Sequence, residues 1–225
     1  ITMVDNQLIG LYGGAFDPIH KAHIAIAQNC IKKIGLNKII FIPTGNSPKN
    51  KILYDYYHRL EMLNIVCKKS FFEVSEFEIN EYLNHKKISY TVNTLRYFKK
   101  ESKSTFLFIL GTDAFSTINS WHKWKEILNY SHLLLIKRSG DQSNIEVMPT
   151  EIQRFFNDNI TNDINDIKKN KHGLIYTLSM PLFNESSSEI RNRLKKNLDV
   201  KEFLPKTIQS YINQNSLYKL PGHNK

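Results

Sequence analysis

The order of patterns near the N-terminus constrains the fold most strongly. It is an apolar segment, a turn with two glycines, a helical pattern and a second apolar segment. Residues 8 to 12 are typical of a buried strand, and residues 24 to 34 carry apolar side chains at helical spacing up to Gly35. Residues 38 to 42 predict a second buried strand. This order predicts a parallel strand–helix–strand crossover, whose first turn lies at the sheet edge where open α/β sheets bind ligands.

The turn after the first strand contains residues that suit a phosphate. Gly13 and Gly14 let the backbone bend sharply and leave room for a ligand near main-chain N–H groups, which carry partial positive charge at a helix start. His20 and His23 are three residues apart, so their rings project from one face of the helix start. Paired glycines are often only a tight turn, and a single histidine usually has no chemical task, but the combination favours an anion site.

The same turn, residues 13 to 23, resembles the Gly-Gly-x-Phe-Asp-Pro-x-His-x-Gly-His signature of the nucleotidylyltransferase superfamily, most closely that of its nicotinate mononucleotide adenylyltransferases. Ala22 stands where the signature has its last glycine. The resemblance implies that His20 and His23 hold the phosphate that is transferred. It also implies an ATP site lined by Gly13, Gly14, Ala15 and Phe16.

A second match lies in residues 88 to 95, which resemble the family's Ser-Tyr-Thr-x-Asp-Thr-Leu run with Asn93 in place of the aspartate. From the pattern alone, Ser89 is the N-cap of a helix and nothing more. The resemblance implies that Tyr90 and Thr91 bind the nicotinate substrate.

A third match follows residues 105 to 110, the most strand-like run in the chain, which ends in a Gly-Thr-Asp sequence. Asp113 is placed either to accept hydrogen bonds from ribose hydroxyls or to cap the following helix. The family's Gly-x-Asp with a later tryptophan is matched here, which implies that Asp113 binds ATP and that Trp121 stacks on the pyridine ring. Trp124 is expected to pack in the core.

The fourth match, residues 186 to 191, has the sequence Ser-Ser-Ser-Glu-Ile-Arg at a predicted helix start. Hydroxyls and an arginine at such a position suit phosphate, although alone they favour a plain serine cap. The segment resembles the family's Ser-Ser-Thr-x-Ile-Arg motif. This resemblance implies that Ser187, Ser188 and Arg191 hold the leaving phosphates of ATP.

Two further cations lie after the second strand. Lys49, or failing it Lys51, would supply charge to the ATP phosphates in the loop where the family carries Pro-His-Lys, and a solvated lysine is an equal alternative. Arg59 lies in an amphipathic helix predicted over residues 55 to 69, with Tyr56 on its buried side. Arg59 either turns inward or, as the favoured role, forms a surface ion pair with Glu61 or Asp55.

The remaining apolar runs predict the rest of the sheet. Buried strands are expected at residues 71 to 74, 105 to 110, 132 to 136 and 174 to 178, and an acidic linking stretch is expected after the first of these. The pattern indicates an α/β fold, a Rossmann-like doubly wound parallel sheet. We expect a single domain, residues 1 to 225, with a polar helical insertion at about 141 to 172 and a C-terminal helical part at about 186 to 218.

The net charge of +10 raises the question of nucleic-acid binding. The basic residues are scattered as short lysine pairs near predicted helix ends, where they complement the helix dipole, so we expect no nucleic-acid partner. No apolar run reaches the roughly 18 residues of a membrane span, so we expect a cytoplasmic protein without membrane contact. Cys30 and Cys67 lack a metal-ligand spacing and are interpreted as small buried hydrophobic residues.

The resemblance, carried by motifs in the family's order, implies adenylyl transfer. The 5′-phosphate of nicotinate mononucleotide attacks the α-phosphorus of ATP and gives deamido-NAD and pyrophosphate, a step of NAD biosynthesis. We expect Mg²⁺ to be carried by the ATP phosphates, since the sequence shows no carboxylate cluster for a metal site. A homo-oligomer is left open.

Two other functions stay open at this stage. One is another transferase of the superfamily, such as a phosphopantetheine adenylyltransferase or a cytidylyltransferase, which share the first motif. The other is a non-catalytic RNA-binding protein that uses its net charge of +10. A class I aminoacyl-tRNA synthetase needs further domains that a chain of 225 residues does not hold.

Overall fold

The computed structural model describes residues 7–46, 54–68, 71–138, 145–181 and 186–219. The strands of its sheet are β1 (Leu8–Gly14), β2 (Lys38–Pro43), β3 (Phe72–Val74), β4 (Thr105–Gly111), β5 (His132–Arg138), β6 (Ile160–Thr161) and β7 (Ile175–Met180). The α-helices are α1 (Lys21–Ile34), α2 (Tyr56–Cys67), α3 (Phe77–His85), α4 (Thr91–Glu101), α5 (Thr112–Phe115), α6 (Thr150–Asn157), α7 (Ile164–Lys169), α8 (Ser187–Lys195) and α9 (Lys206–Gln214). Shorter 3₁₀ helices cover Ile118–Ser120, Trp124–Asn129 and Ile145–Val147.

All pairs of neighbouring strands are parallel, and the order across the sheet is β3-β2-β1-β4-β5-β7-β6. The predicted Rossmann-like α/β fold is therefore confirmed. The six predicted strands are also confirmed, whereas β6 was not predicted. The strand order reverses between β1 and β4, so the carboxyl ends of these neighbours flank the crevice where this fold binds ligands.

The sheet is covered on both faces, and the two sides of one strand show how. In β4, Leu107 and Ile109 belong to a core cluster shared with α1, α2, α8 and α9. Phe106 and Phe108 belong to the cluster on the other face, shared with α4, α5 and α6. Because side chains alternate along a strand, a strand covered on both faces is apolar throughout, which explains the continuous apolar run of β4.

The prediction of an acidic linking stretch after β3 is wrong, because those residues form α3. Its single fully buried side chain, Ile79, packs the helix against the rest of the molecule. The expected cap at Ser89 is wrong as well, since the N-cap of α4 is Tyr90. Ser89 is instead bonded to Asn46: its N–H donates to the Asn46 carbonyl at 3.0 Å, and its hydroxyl accepts from the Asn46 N–H at 3.3 Å.

The segment between β5 and β7 adds structure to the same sheet. Of the predicted insertion, residues 145 to 172 are described, and they contain α6, β6 and α7. Ile160 in β6 pairs with Ile175 in β7, and Ile152 and Ile167 are fully buried. The division of the chain into one domain with an insertion and a C-terminal helical part stays a prediction.

Two smaller expectations concern membranes and cysteines. Within the described ranges, no helix combines the length and the apolar character needed to cross a bilayer. Both cysteines are free thiols: Cys30 is completely buried in α1, as expected, whereas Cys67 at the end of α2 is only half-buried.

Candidate active site

The turn after β1 is built differently from its prediction. Gly13 and Gly14 do not make the bend but continue the strand. A Cβ at Gly14 would lie 3.0 to 3.3 Å from atoms of the Phe16 ring, so this glycine allows close packing of that ring. The chain turns afterwards, where Phe16 has a left-handed φ of 48° and the Asp17–Pro18 peptide is cis.

The histidine pair sits where the sequence placed it, at the start of α1. His20 is the N-cap residue and is only 4% exposed, and its ring stacks on that of His23 with 3.7 Å between centroids. The main-chain N–H of His20 donates to Nδ1 of His23 at 3.4 Å, which leaves Nε2 of a neutral His23 as the protonated nitrogen. The first turn of α1 contains no acidic residue, so an anion there meets the positive end of the helix dipole.

Aromatic rings hold His23 in place. Its ring packs edge-on against Phe16 at 5.1 Å and against Tyr12 at 5.9 Å between centroids. Ala22, which replaces the glycine of the signature, is 4% exposed. Its methyl group is therefore covered by protein and does not project into open space.

The start of α8 lies directly against this turn. Ser187 donates its hydroxyl to the Pro18 carbonyl at 3.1 Å, and Nη1 of Arg191 donates to the Asp17 carbonyl at 2.6 Å. Nη2 of Arg191 donates to the Ser188 hydroxyl at 3.3 Å. The two predicted anion-binding segments, far apart in the sequence, are thus brought together in the fold.

The N-cap of α8 is a serine that precedes the two serines predicted to hold phosphate. Ser186 is the N-cap, and its hydroxyl accepts from the Glu189 N–H at 3.2 Å. The cap is therefore separate from Ser187 and Ser188, the two serines predicted to hold phosphate, which lie one and two positions further into the helix.

Arg59 corrects an expectation, because it is not a surface residue. It is 1% exposed, and its Nη1 and Nη2 donate to the carbonyls of Ala15 and Thr44, each at 2.9 Å. Its Nε donates to the Tyr54 carbonyl at 3.1 Å. Burial lowers the pKa of Arg59 and the nearby Asp17 carboxylate opposes that shift, so the guanidinium stays charged. This cation joins the turn after β1 to the turn after β2.

The sequence contained a signal for the burial of Arg59. Met62 and Leu63, three and four positions further along α2, are fully buried, so Arg59 lies on the buried face of the helix. Tyr56, which was predicted on that face, is 38% exposed. The helix is therefore rotated relative to the prediction, with a charged residue inside and an aromatic residue outside.

Glu78 in α3 is a second residue that the sequence analysis missed. Its carboxylate accepts from the Thr94 hydroxyl at 2.7 Å. Burial raises the pKa of Glu78, and the Thr94 and Ser89 hydroxyls, the Gly45 N–H and the charge of Arg59 oppose the shift. A Cβ at Gly45 would collide with the Glu78 carbonyl, which explains the glycine. Three segments therefore meet at Glu78: the loop after β2, α3 and the start of α4.

The residues predicted to bind the pyridine ring lie beside this junction. Tyr90 is half-buried, and its ring lies 4.5 Å from that of His122, the neighbour of Trp121. Trp121 is half-buried with its edge on Phe108, 6.4 Å between centroids. Thr91 is the first residue of α4. A small open pocket lies at this place, lined among others by Glu78, Ser89, Tyr90 and Asn93.

Of the remaining predicted residues, Asp113 and Trp124 are described and the lysines after β2 are not. Gly111, not Asp113, is the N-cap of α5, so the capping alternative for Asp113 is wrong. Asp113 is exposed just beyond the carboxyl end of β4. Lys49 and its alternative Lys51 lie outside the described residues. Trp124 is 9% exposed and packs in the core, as predicted.

Comparisons with known proteins point to one family. Residues 11–193 match the cytidylyltransferase-like family model. A Clostridium kluyveri protein named as a probable nicotinate-nucleotide adenylyltransferase is 35% identical over 217 residues, 93% of this chain and 98% of the relative. A protein of the same name from Wigglesworthia glossinidia brevipalpis is 34% identical over 221 residues, 96% of this chain and all of the relative.

Solved structures are similar in fold. Plasmodium falciparum nicotinic acid mononucleotide adenylyltransferase complexed with NaAD superposes with a TM-score of 0.71 at 23% identity, covering 95% of this chain and 98% of that chain. The complex of the same enzyme with APC gives a TM-score of 0.68.

Proposed function

The chain belongs to the nicotinate-nucleotide adenylyltransferases of the cytidylyltransferase-like family, and we infer that it transfers the adenylyl group of ATP to nicotinate mononucleotide. The products are deamido-NAD and pyrophosphate, and the reaction is a step of NAD biosynthesis. Nucleotides are its substrates, in keeping with the NaAD and APC complexes of the similar Plasmodium enzyme.

The observation that carries the mechanism is the contact between α8 and the histidine turn. The reaction needs neither a general base nor a protein nucleophile, because the attacking phosphate oxygen is already an anion and pyrophosphate is an acidic leaving group. What the protein contributes is position and charge. Ser187 on the Pro18 carbonyl and Arg191 on the Asp17 carbonyl fix the two anion-binding segments relative to each other.

Each residue on this phosphate side, which we define as His20, His23, Ser187, Ser188 and Arg191, has a proposed role. The two histidines hold the phosphate that is transferred and donate to its oxygens as negative charge moves during the reaction. The two serines and the arginine hold the leaving phosphates, for which a guanidinium fork is well suited. The main chain from Gly13 to Phe16 lines the nucleotide.

The pyridine side, which we define as Tyr90, Thr91 and Trp121, binds the acceptor in this proposal. The contact of Tyr90 with His122 supports it, because that contact sets the start of α4 beside the segment that carries Trp121. Asp113, exposed beyond β4, is proposed to accept hydrogen bonds from ribose hydroxyls of ATP. Lys49 is proposed as a further phosphate contact.

Mg²⁺ is proposed to enter with ATP. In the described part of the chain, no group of three or more His, Cys, Asp or Glu side chains is arranged to hold a metal ion. Phosphate oxygens and water are the hard ligands that Mg²⁺ prefers, so we assign its ligands to the triphosphate and solvent. The ion neutralises phosphate charge, and the residues of the phosphate side orient the chain of phosphates.

The test is release of pyrophosphate from ATP and Mg²⁺ with nicotinate mononucleotide or its amide as acceptor. We expect pyrophosphate and a dinucleotide in equal amounts, and a higher kcat/KM for the acid, a preference that rests on the family resemblance. No pyrophosphate with either acceptor, together with RNA binding that weakens steeply with salt, would contradict the enzymatic function. Turnover with phosphopantetheine alone would assign a different transferase of the family.

A further inference from the structure

The side chain of Asp17, in the turn between β1 and α1, contacts three other parts of the chain. It is 2% exposed. Its Oδ2 accepts from the Tyr54 N–H at 3.1 Å, and its Oδ1 accepts from the Tyr218 hydroxyl at 2.7 Å. Nη1 of Arg191 lies 3.9 Å from Oδ2 while it donates to the Asp17 carbonyl. This carboxylate is therefore shared by the site, the start of α2, α8 and the segment after α9.

The segment after α9 is folded back toward the site at a conformational cost. Tyr218 has φ 61° and Ser216 has φ 50°, left-handed values that are unfavourable for residues with a side chain. Leu217 is 2% exposed and joins the core, and its N–H donates to the Ile212 carbonyl at 3.0 Å. These contacts hold the strained conformation in place, and they deliver the Tyr218 hydroxyl to Asp17.

The direction of the hydrogen bond is well defined. Tyr218 is 2% exposed, and its ring lies 4.7 Å from that of Tyr54. Burial and, next, the Asp17 charge raise the pKa of Tyr218 well above its usual value, so the hydroxyl stays protonated and donates. With one oxygen bound to Tyr218 and the other to the Tyr54 N–H, the plane of the Asp17 carboxylate is fixed.

We propose that Tyr218 is a positioning residue for ATP, which keeps the Asp17 carboxylate from capturing Arg191. At 3.9 Å the arginine and this carboxylate are close to, but short of, a tight charge-assisted pair. A carboxylate released by Tyr218 would rotate toward the guanidinium and form that pair. Arg191 would then be withdrawn from the leaving phosphates, so the inference rests on the role of Arg191 under the proposed function.

The experiment compares Tyr218→Phe with a matched control, a second tyrosine in the C-terminal part of the chain. Tyr211 in α9 also bonds a side chain through its hydroxyl, at 2.9 Å from Nδ1 of His58, but it makes no contact with Asp17. We expect Tyr218→Phe to lower kcat/KM for ATP by about tenfold, the scale of one hydrogen bond to a charged group, with little change in KM for the mononucleotide. Tyr211→Phe should leave both constants near those of the wild type.

The same change made in an Asp17→Asn background separates positioning from a general structural effect. Without the carboxylate charge there is nothing to capture Arg191, so Tyr218→Phe should change kcat/KM for ATP by less than about twofold relative to Asp17→Asn alone. An equally large effect in both backgrounds would overturn the proposal, and so would equal losses for ATP and the mononucleotide.

Folding is checked by thermal unfolding of every variant. Because Phe keeps the buried ring, Tyr218→Phe is expected to fold. If it does not, 4-aminophenylalanine at position 218 keeps the ring with a weaker donor and still predicts a loss selective for ATP, whereas equal losses for both substrates contradict the proposal. A wild-type protein that releases no pyrophosphate would refute the proposed function, whereas an active wild type with Tyr218→Phe behaving like Tyr211→Phe would refute only this inference.

Discussion

Ser187 and Arg191 on the phosphate side are fixed by main-chain carbonyls, whereas the segments beside Tyr90 on the pyridine side meet at one carboxylate. Ser187 and Arg191 of the phosphate side donate to the carbonyls of Pro18 and Asp17, and Arg59, which holds the same turn, donates to the carbonyl of Ala15. Beside Tyr90, the loop after β2, α3 and α4 meet at the side chain of Glu78. Carbonyls do not titrate and do not depend on residue type, so most substitutions of neighbouring side chains should leave these donors in place, with Tyr218, which acts through the Asp17 carboxylate, as the proposed exception. The pyridine side should respond to one substitution.

The largest expected effect is on the phosphate side. His23→Ala removes a ring that is held by His20, Phe16 and Tyr12. We expect kcat to fall roughly a hundredfold to a thousandfold, the scale of one lost preorganised donor, measured as pyrophosphate release at saturating substrates. His85→Ala, at a 56% exposed side chain on α3, is the control and should keep normal turnover. A His23→Ala enzyme with near-normal kcat would contradict the assignment.

A second effect, on stability, tests whether Arg59 holds the main-chain carbonyls of the two turns. Arg59→Met leaves the carbonyls of Ala15, Thr44 and Tyr54 without their donor, and we expect the free energy of unfolding to fall by about 3 to 5 kcal/mol. Chemical denaturation measures it. Arg96→Met removes an exposed arginine bonded to Tyr130 and Glu126 and should cost less than about 1 kcal/mol. Similar losses for the two variants would show that the buried guanidinium does not join the two turns.

A smaller and more selective effect is expected on the pyridine side. Glu78→Gln removes the charge that accepts from Thr94 and lies near Ser89 and Gly45, and we expect KM for the mononucleotide to rise about tenfold with KM for ATP nearly unchanged. Glu76→Gln is the matched control, because Glu76 is exposed and its side chain makes no capping bond. An equal rise in both KM values would mean that Glu78 does not organise one side alone.

The smallest effect concerns a titratable group at the amino end of β5, whereas the site lies at the carboxyl ends of the strands. His132 begins β5 and is fully buried, its Nδ1 accepts from the Leu174 N–H at 3.1 Å, and its Nε2 lies 3.1 Å from the Asn170 carbonyl. Burial lowers the pKa of His132, with the Asn170 carbonyl opposing the shift. Above pH 6.5 both folded and unfolded states are neutral there, but below it the unfolded chain binds the proton first.

Stability should therefore fall as the pH drops below 6.5, by at most about 1.4 kcal/mol per pH unit for this group. Denaturation curves of the wild type and His132→Gln between pH 7 and 5 measure it, and the variant should show a flatter decline. Activity per folded molecule should keep the same pH dependence in both proteins. If His132→Gln changed the pH dependence of activity, the amino end of β5 would not be independent of the site.

Local features could be predicted from the sequence, whereas contacts between distant segments could not. Short motifs carry local geometry, so the histidine pair at the start of α1 was expected and observed, and a serine cap at α8, the alternative to phosphate binding there, is observed as well. The strands were predicted because both faces of the sheet are covered, which makes their sequences continuously apolar. Gly14 was identified, but its reason, the ring of Phe16 packed against it, depends on a contact that spacing alone does not give.

The residues that sequence analysis missed act through partners far along the chain. Arg59 shares the helix face of Met62 and Leu63, but the carbonyls of Ala15 and Thr44 that bind its guanidinium belong to other segments. Glu78 lies in a polar stretch with one fully buried apolar side chain, so α3 carries little periodic signal. Tyr218 meets Asp17 only after the whole chain has folded. Buried polar groups find their partners in the tertiary structure, which spacing along the sequence does not reveal.

The central claim is that the first turn of α8 and the histidine turn hold one triphosphate together. A crystal structure of the protein with a non-hydrolysable ATP analogue and Mg²⁺ tests it most directly. The account predicts phosphate oxygens of a single analogue within hydrogen-bond distance of His20 or His23 and also of Arg191 with Ser187 or Ser188. An analogue whose phosphates contact only one of these two segments, or lie at another edge of the sheet, would contradict it.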